Sequence, residues 1–223
     1  MLYLCGLNTN QFLRMKPLTF ILLLLTLLLP TTADAQQRDR LAELNVACLN
    51  EHTLQSGDLI FCKGWSEMDK AITASTGEYT HVALVERDSA DNAWIIEALP
   101  EKGVLRRSFR EFERRFSMLS TFDVYRLTQP FDTAAVIARA KSLVGKPYDE
   151  AFLPDNDAYY CSELIEVVFD GLFPSKPMNW RDAKGKLPAY WKKHFEKLGV
   201  PVPEGVPGTN PTDLSRTPIL KKL

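Results

Sequence analysis

Three residues of this chain have the types that thiol chemistry needs: Cys161, His81 and Glu97. The stretch DAYYCSELIEVVFDGL, residues 157–172, puts Cys161 where an amphipathic helix begins, and Gly171 can close that helix in a left-handed cap. A helix N-terminus stabilises a thiolate, and its unpaired N–H groups can bind the oxyanion of a tetrahedral intermediate. A second interpretation stays open, because the same spacing suits the first residue of a buried helix face. Cys161 shares its helical face with Leu164, Ile165, Val168 and Leu172.

A thiol nucleophile needs a base, and the chain offers three histidines. His194 lies among lysines on the polar side of a predicted helix, where we expect it to be solvated. His52 follows a predicted helix, a common position for a histidine near the negative end of a helix dipole. His81 differs from both, because it lies inside the apolar strand THVALV and must find a hydrogen-bond partner there.

The predicted hairpin that contains His81 also supplies an acid. Glu97 lies inside the second apolar strand, AWIIEAL, where a carboxylate is costly without a cation or a donor. If the hairpin is symmetric about Ser89, the middle of the turn DSADN, His81 and Glu97 lie directly opposite each other on one face. A buried His–Glu pair without a catalytic role is the alternative that this spacing leaves open.

Length and composition favour one globular domain of the α+β class. The 223 residues are 45% hydrophobic and 25% charged, and a net charge of −1 gives no electrostatic reason to expect nucleic acid or an anionic membrane as a partner. Strands are predicted in residues 57–62, 79–87, 93–99 and 120–127. Helices are predicted in residues 66–76, 108–116, 132–145, 161–172 and 187–199. From residue 201 to 223 the proline and glycine content predicts an extended arm or a disordered tail.

Residues 1–35 have the pattern of a secretory signal peptide. Arg14 and Lys16 precede the apolar run PLTFILLLLTLLLP, and the small residues of ADA predict cleavage after Ala35. Met15 directly precedes Lys16, so it can be the natural translation start. An uncleaved signal anchor is the competing interpretation. With cleavage, the catalytic domain is expected over residues 36–200, in the periplasm or outside the cell.

Export would place the remaining cysteines in an oxidising compartment. The mature chain keeps Cys48, Cys62 and Cys161, an odd number. If Cys161 is the free thiol, Cys48 and Cys62 can form a disulfide. Both positions also fit buried, reduced cysteines on apolar faces, so the pairing stays open.

Six segments in a fixed order resemble a known family. They are SGDLIFCKGW, TASTGEYTHVALVERD, WIIEALPEKGV, FDVYRL, VGKPYDEAF and YYCSELI, between about Gly57 and Leu172. Together they resemble the permuted papain-fold cysteine hydrolases of the YiiX/YaeF kind, relatives of the NlpC-type cell-wall amidases. Histidine precedes cysteine, as in the circularly permuted branch. The resemblance implies a permuted papain-like (NlpC-type) α+β fold whose antiparallel sheet packs against helices, with Gly57 and Asp58 in a structural turn.

The resemblance also assigns roles to individual residues. It makes Cys161 the nucleophile, His81 the base and Glu97 the group that orients the base, in agreement with the reasoning from the residues alone. Tyr148, in the segment GKPYD, matches a family position near the cleft. We expect Tyr148 and Ser162 to contact the substrate.

The expected activity is cleavage of an amide bond, in a peptidoglycan stem peptide or another acyl amide, through an acyl-enzyme. The partner would be a small peptide, a muropeptide or an acyl amide, without nucleic acid and without a membrane span in the mature chain. A lipid acyl hydrolase or acyltransferase with the same three residues is an alternative, and so is a non-catalytic binding protein on this fold. Neither a metal nor a cofactor is expected, because no C-x-x-C or H-x-x-x-H spacing occurs.

Overall fold

The computed structural model describes residues 51–116 and 121–223. The predicted signal peptide and Cys48 lie outside these residues. The strands are β1 (Leu59–Lys63), β2 (His81–Arg87), β3 (Ala93–Leu99), β4 (Gly103–Ser108), β5 (Thr121–Leu127), β6 (Lys176–Pro177), β7 (Pro207–Gly208) and β8 (Leu220–Lys222). The helices are α1 (Glu67–Thr76), α2 (Phe109–Phe116), α3 (Thr133–Ser142), α4 (Cys161–Val168), α5 (Ala189–Leu198) and α6 (Pro211–Ser215). A single 3₁₀ turn, Glu51–Thr53, precedes β1 in the described part of the chain.

The fold is of the α+β class, with an antiparallel sheet packed against helices, as the sequence predicts. Six strands form the sheet in the order β4-β3-β2-β1-β5-β8, and each neighbouring pair is antiparallel. The apolar side chains of β1 and β2 are buried on both faces, which explains their nearly continuous hydrophobic runs. The short strands β6 and β7 form a separate ribbon.

The hairpin of β2 and β3 has a different register from the one that the sequence suggested. Leu84 pairs with Ile96 and Val85 with Ile95, so the hairpin is symmetric about Ala90 rather than Ser89. The predicted direct opposition of His81 and Glu97 is therefore wrong by two residues. A shift of two residues keeps both side chains on the same face, because side chains alternate with a period of two.

The main core lies between the sheet and the apolar face of α4. Leu164, Ile165 and Val168 are fully buried in it, at the helical spacing that the sequence shows. Leu172 packs against this core from beyond the end of the helix. Gly171 adopts the left-handed φ of 83°, which a residue without a Cβ reaches without strain.

The turn at Gly57 and Asp58 joins the start of β1 to the rest of the sheet. Gly57 has a φ of 94°, and a Cβ there would lie 2.3 Å from a ring carbon of Phe131. The Asp58 carboxylate is 1% exposed and accepts two hydrogen bonds of 2.7 Å from the Arg126 guanidinium. A bidentate pair of this kind fixes the turn in position, so both residues have a structural role.

Residues 201–223 form an ordered part of the fold rather than a free arm or a disordered tail. Pro211 occupies the first turn of α6, and Asn210 caps this helix by accepting a hydrogen bond from the backbone of Asp213. Leu214 is buried in the main core, and β8 pairs with the edge of β5. The prolines and glycines of this segment make turns between the buried residues. Disordered tails are rich in the same residues, so their number alone suggested disorder.

A second, aromatic cluster lies between α1 and α5. The Trp180 and Trp191 ring centroids are 4.8 Å apart, and Phe152 lies 5.0 Å from Trp180 and 5.6 Å from Trp191. Edge-to-face geometry of this kind holds aromatic rings in fixed positions. Among the residues that the structure describes, no helix has the length and hydrophobicity that a membrane crossing needs.

Replacement of Thr212 by valine tests whether the C-terminal segment stabilises the fold. The Thr212 hydroxyl is fully buried, accepts a hydrogen bond of 3.0 Å from the Tyr79 N–H and donates one of 3.3 Å to the Tyr79 carbonyl. Thr212→Val leaves both backbone groups unsatisfied and should lower the free energy of unfolding by about 1–3 kcal/mol in urea denaturation. The matched control is Thr217→Val, which removes a half-buried hydroxyl. Equal stabilities of the two variants would contradict an anchoring role for this segment.

Candidate active site

Cys161 is the first residue of α4 and lies at the N-terminus of this buried helix. Tyr160 precedes the helix in an extended conformation, with φ −88° and ψ 171°. Its N–H donates a hydrogen bond of 3.2 Å to the Glu163 carboxylate, which fixes the start of the first turn. The N–H groups of a first turn have no partner within their own helix. Cys161 therefore presents its thiol beside donors that can hold an oxyanion.

His81 and Glu97 are in contact, as the sequence predicts, although they do not lie directly opposite. His81 Nε2 lies 2.7 Å from Glu97 Oε2, and the Glu97 side chain is completely buried. Continued by one pair, the hairpin register places Ala83 opposite Glu97. His81 is then the diagonal neighbour of Glu97 on the same face, within reach of a long side chain.

The His81 ring also forms a hydrogen bond with Cys161, which completes a chain of three side chains. Burial alone lowers the pKa of His81, but the hydrogen bonds to Cys161 and Glu97 outweigh this effect and raise the pKa to about 9. Since Nε2 faces Glu97, Nδ1 is the ring nitrogen left for the thiol. The geometry therefore favours a protonated imidazole beside the sulfur at neutral pH.

Arg107 is a site residue that the sequence reasoning missed. Its guanidinium forms an ion pair with Oε1 of Glu97, and it also lies over the Phe112 ring, 5.2 Å from the centroid. Glu97 pairs with Leu105 across β3 and β4, so Arg107 is another diagonal neighbour. Burial raises the pKa of Glu97, but His81 and Arg107 together bring it below its ordinary value. The signal was available, because a buried carboxylate requires a cation.

A cleft opens onto Cys161 between α1, α5 and the C-terminal segment. It encloses about 510 Å³ of space that communicates with solvent. Its apolar wall consists of Met68, Ile72, Phe152, Met178, Trp180 and Trp191. The described residues that line the cleft include no Asp, Glu, Lys, Arg or His, so neither His81 nor Glu97 is among them. The Cys161 thiol thus faces the cleft, whereas the His81 imidazole and the Glu97 carboxylate do not line it.

Tyr148 and Ser162 both line this cleft. The Tyr148 ring packs edge-to-face against Phe152 at 6.3 Å. Burial, followed by the negative charge of Cys161, raises the pKa of Tyr148, which keeps its hydroxyl protonated and able to donate. The Ser162 hydroxyl donates a hydrogen bond of 3.0 Å to the Thr209 carbonyl, so this side chain ties α4 to the C-terminal segment. Substrate contact by either residue stays a prediction.

The other two histidines lie apart from this site. His52 is exposed in the 3₁₀ turn Glu51–Thr53, and the helix that it was predicted to follow lies outside the described residues. His194 is not solvated as predicted, because its Nε2 forms a hydrogen bond of 2.7 Å with the Glu150 carbonyl and its ring stacks near Tyr190. Packing of α5 against the aromatic cluster brings His194 to this position.

Cys62 is a second buried thiol, next to the candidate catalytic residues. It lies directly opposite His81 in the pairing of β1 and β2 and is completely buried. Burial, together with the negative charges of Glu97 and Cys161, raises the pKa of Cys62 well above its ordinary value. Cys62 is free in the structure, and Cys48, with which it was expected to pair, lies outside the described residues.

The fold is that of a permuted papain-like protein, with histidine ahead of cysteine in the chain. Residues 53–223 match the model of the family described as permuted papain-like amidase enzymes, YaeF/YiiX, the C92 family. The chain belongs to this family. No curated protein matches it in a sequence search.

The same fold occurs in the crystal structure of the metalloprotein yiiX from Escherichia coli O157:H7. The two proteins are 22% identical, and the match covers 76% of this chain and 96% of that chain with a TM-score of 0.63. In the described part of this chain, no group of three or more histidine, cysteine, aspartate or glutamate side chains could hold a metal ion.

Replacement of Glu97 by glutamine should lower the pKa of His81 from its value of about 9, because the carboxylate no longer stabilises the imidazolium. NMR titration of the imidazole measures this change directly. The charge on His81 would then be lost at a lower pH than in the unmodified protein. The matched control is Glu86→Gln, which changes a carboxylate that is equally buried and is paired with Arg106 and Lys141. Equal His81 titrations in the two variants would contradict the proposed coupling.

Proposed function

We propose that the protein is a cysteine amidase that cleaves an amide bond through an acyl-enzyme. Cys161 would be the nucleophile, His81 the group that carries the proton and Glu97 the group that orients His81. The observation that carries this proposal is the continuous contact from Cys161 through His81 to the buried Glu97. Family membership supports the same reaction class.

In the first step the sulfur of Cys161, as a thiolate beside the protonated His81, attacks the carbonyl carbon of the amide. The N–H groups of the first turn of α4 stabilise the negative oxygen of the tetrahedral intermediate. The carbon–nitrogen bond then breaks while the imidazolium gives its proton to the leaving nitrogen. An amine departs, and the acyl group stays on Cys161 as a thioester.

In the second step water replaces the amine. His81 takes a proton from the water, and the oxygen of this water attacks the thioester carbon. The carbon–sulfur bond breaks, the carboxylic acid leaves, and Cys161 is restored as a thiolate beside the protonated His81. Glu97 remains ionised throughout, since Arg107 and His81 both hold its negative charge.

A lipid acyl hydrolase or acyltransferase with the same three residues is the second candidate. The uncharged, largely apolar cleft at Cys161 favours it over a stem peptide with several charges. In a transferase, an alcohol or an amine would replace water in the second step. A binding protein without catalysis remains the third candidate, and a measurement of turnover separates it from the other two.

We further propose that the protein is exported after cleavage near Ala35. The apolar run before residue 31 and the small residues at the predicted cleavage position support this proposal. After expression of the full chain in a secreting host, intact-protein mass spectrometry should show a mature form that begins at Gln36. Retention of residues 15–35 on the folded protein would contradict cleavage and support a signal anchor.

Replacement of Cys161 by alanine should abolish amide turnover and labelling by an acylating thiol probe, with less than about 0.1% of activity remaining. The substitution removes only a sulfur atom at a helix terminus, so circular dichroism and thermal unfolding should remain close to those of the unmodified protein. Cys62→Ala is the matched control, because it removes the neighbouring buried thiol and leaves Cys161 in place. Activity of Cys161→Ala close to that of the unmodified protein would rule out the proposed mechanism.

A further inference from the structure

Two neighbouring arginines of β4 lie on opposite faces of the sheet, because side chains alternate along a strand. Arg107 lies on the face of Glu97 and forms an ion pair with Oε1 of this carboxylate. Arg106 lies on the other face, where it donates a hydrogen bond of 2.6 Å to the Glu86 carboxylate. Glu97 and Glu86 are 0% and 2% exposed, so both arginines balance a buried charge. Of these two pairs, the one with Glu97 adjoins His81.

The Arg107 guanidinium is also kept away from solvent. It lies over the Phe112 ring of α2, 5.2 Å from the centroid, and Phe112 itself is fully buried. As a result the Arg107 side chain is only 14% exposed. A guanidinium stays charged in proteins, and a charge at a site with little water acts strongly on its neighbours. Arg107 is therefore a permanent positive charge at a fixed place beside Glu97.

The groups around Glu97 decide how its negative charge is balanced. In the described part of the chain, charged or titratable side chains face it from β1, β2, β4 and α4, namely Cys62, His81, Arg107 and, through His81, Cys161. From α2, Glu111 lies near Arg107, but it is exposed and its carboxylate accepts a hydrogen bond of 2.8 Å from the Ser108 hydroxyl. His81 and Arg107 bring positive charge to the buried carboxylate, and the charge of Arg107 does not depend on pH.

The proton between His81 and Glu97 can lie on either group. With the proton on Nε2 of His81, the imidazolium stabilises a thiolate at Cys161. With the proton on Oε2 of Glu97, the carboxyl group is neutral and no longer supports the imidazolium. Burial favours the neutral carboxyl group, whereas a cation at Oε1 favours the carboxylate.

We propose that Arg107 is a positioning residue for the amidase reaction, because by holding the charge of Glu97 it keeps this proton on His81 and maintains the imidazolium–thiolate pair at acidic pH. The inference rests on the proposed functions of Cys161 and His81. Arg107 does not line the cleft at Cys161, so it acts through Glu97 rather than on the substrate.

The pH dependence of the Cys161 thiolate tests this inference. Iodoacetamide reacts with the thiolate rather than the thiol, and mass spectrometry locates the product at Cys161. The rate of alkylation should fall with decreasing pH where Glu97 takes up a proton, and His81 and Arg107 hold the pKa of Glu97 below its ordinary value. In Arg107→Met this fall should occur about 1–3 pH units higher, the usual effect of one neighbouring opposite charge on a carboxylate. An unchanged pH profile would overturn the inference.

Arg106→Met is the matched control, since it removes the same charge from the adjacent residue and takes a cation from another buried carboxylate, that of Glu86. Both variants should lower the melting temperature, but Arg106→Met should leave the pH profile of Cys161 alkylation unchanged. Arg107→Lys restores a positive charge without the planar guanidinium and should return the profile most of the way. Equal shifts in Arg106→Met and Arg107→Met would contradict a specific role for Arg107.

A double variant keeps the test decisive if Arg107→Met alone does not fold. Glu97→Gln combined with Arg107→Met removes both buried charges, so neither is left without its partner. If Arg107 acts through Glu97, adding Arg107→Met to Glu97→Gln should not slow the alkylation of Cys161 further at neutral pH. A further slowing of about tenfold or more would indicate an independent effect and would overturn the inference.

Turnover separates failure of this inference from failure of the proposed function. With hexanoyl 4-nitroanilide as the substrate, Arg107→Met should lower kcat at acidic pH by at least about tenfold and leave KM within about twofold, because Arg107 does not line the cleft. A shifted alkylation profile without turnover of any amide by the unmodified protein would preserve the role of Arg107 and reject the amidase proposal. Turnover that depends on Cys161, with the same kcat at acidic pH in both proteins, would preserve the amidase proposal and reject the inference.

Discussion

The site depends on one buried charge, the carboxylate of Glu97. A fully desolvated carboxylate costs several kcal/mol unless cations and hydrogen bonds surround it, and here its side chain has no exposure at all. His81 faces one of its oxygens and Arg107 faces the other. Three adjacent strands, β2, β3 and β4, must therefore hold their register together, because a shift of one residue would move one partner to the opposite face of the sheet.

This constraint also explains why the position of Cys161, the proposed nucleophile, is defined so closely. The imidazole is held on one side by Glu97, so only its remaining nitrogen is available for the thiol of Cys161. The sulfur in turn lies at the start of α4, whose apolar face is buried against the same sheet. The three proposed catalytic residues thus come from two strands and one helix that share a single core, and they do not depend on the placement of an unsupported loop.

Much of this arrangement could be predicted from local sequence. The helix that begins at Cys161 follows from apolar spacing, and the common face of His81 and Glu97 follows from strand alternation. The register of the hairpin could not be predicted, because turn geometry decides whether the centre is at Ser89 or Ala90. The predicted contact between His81 and Glu97 is nevertheless correct, because diagonal neighbours on one face of a sheet also meet.

The contribution of distant segments was harder to see. The Thr209 carbonyl accepts a hydrogen bond from Ser162, which lies 47 residues away in the sequence. No periodicity in either segment predicts that contact. Proline and glycine are typical of both disordered tails and tightly turning ordered segments, so composition alone cannot separate the two. Arg107 was overlooked for a related reason, since an arginine in a strand resembles an ordinary solvent-exposed residue until the carboxylate that it neutralises is identified.

The last strand has a consequence for how the protein behaves at high concentration. An edge strand exposes unpaired backbone groups and can recruit the edge of another molecule, which leads to aggregation. At this edge of the sheet the outermost strand, β8, has only three residues, and two of them are Lys221 and Lys222. A short strand that carries two positive charges is a poor template for a second copy, because the like charges would face each other at close range. The same segment that completes the cleft therefore also protects the open side of the sheet from self-association.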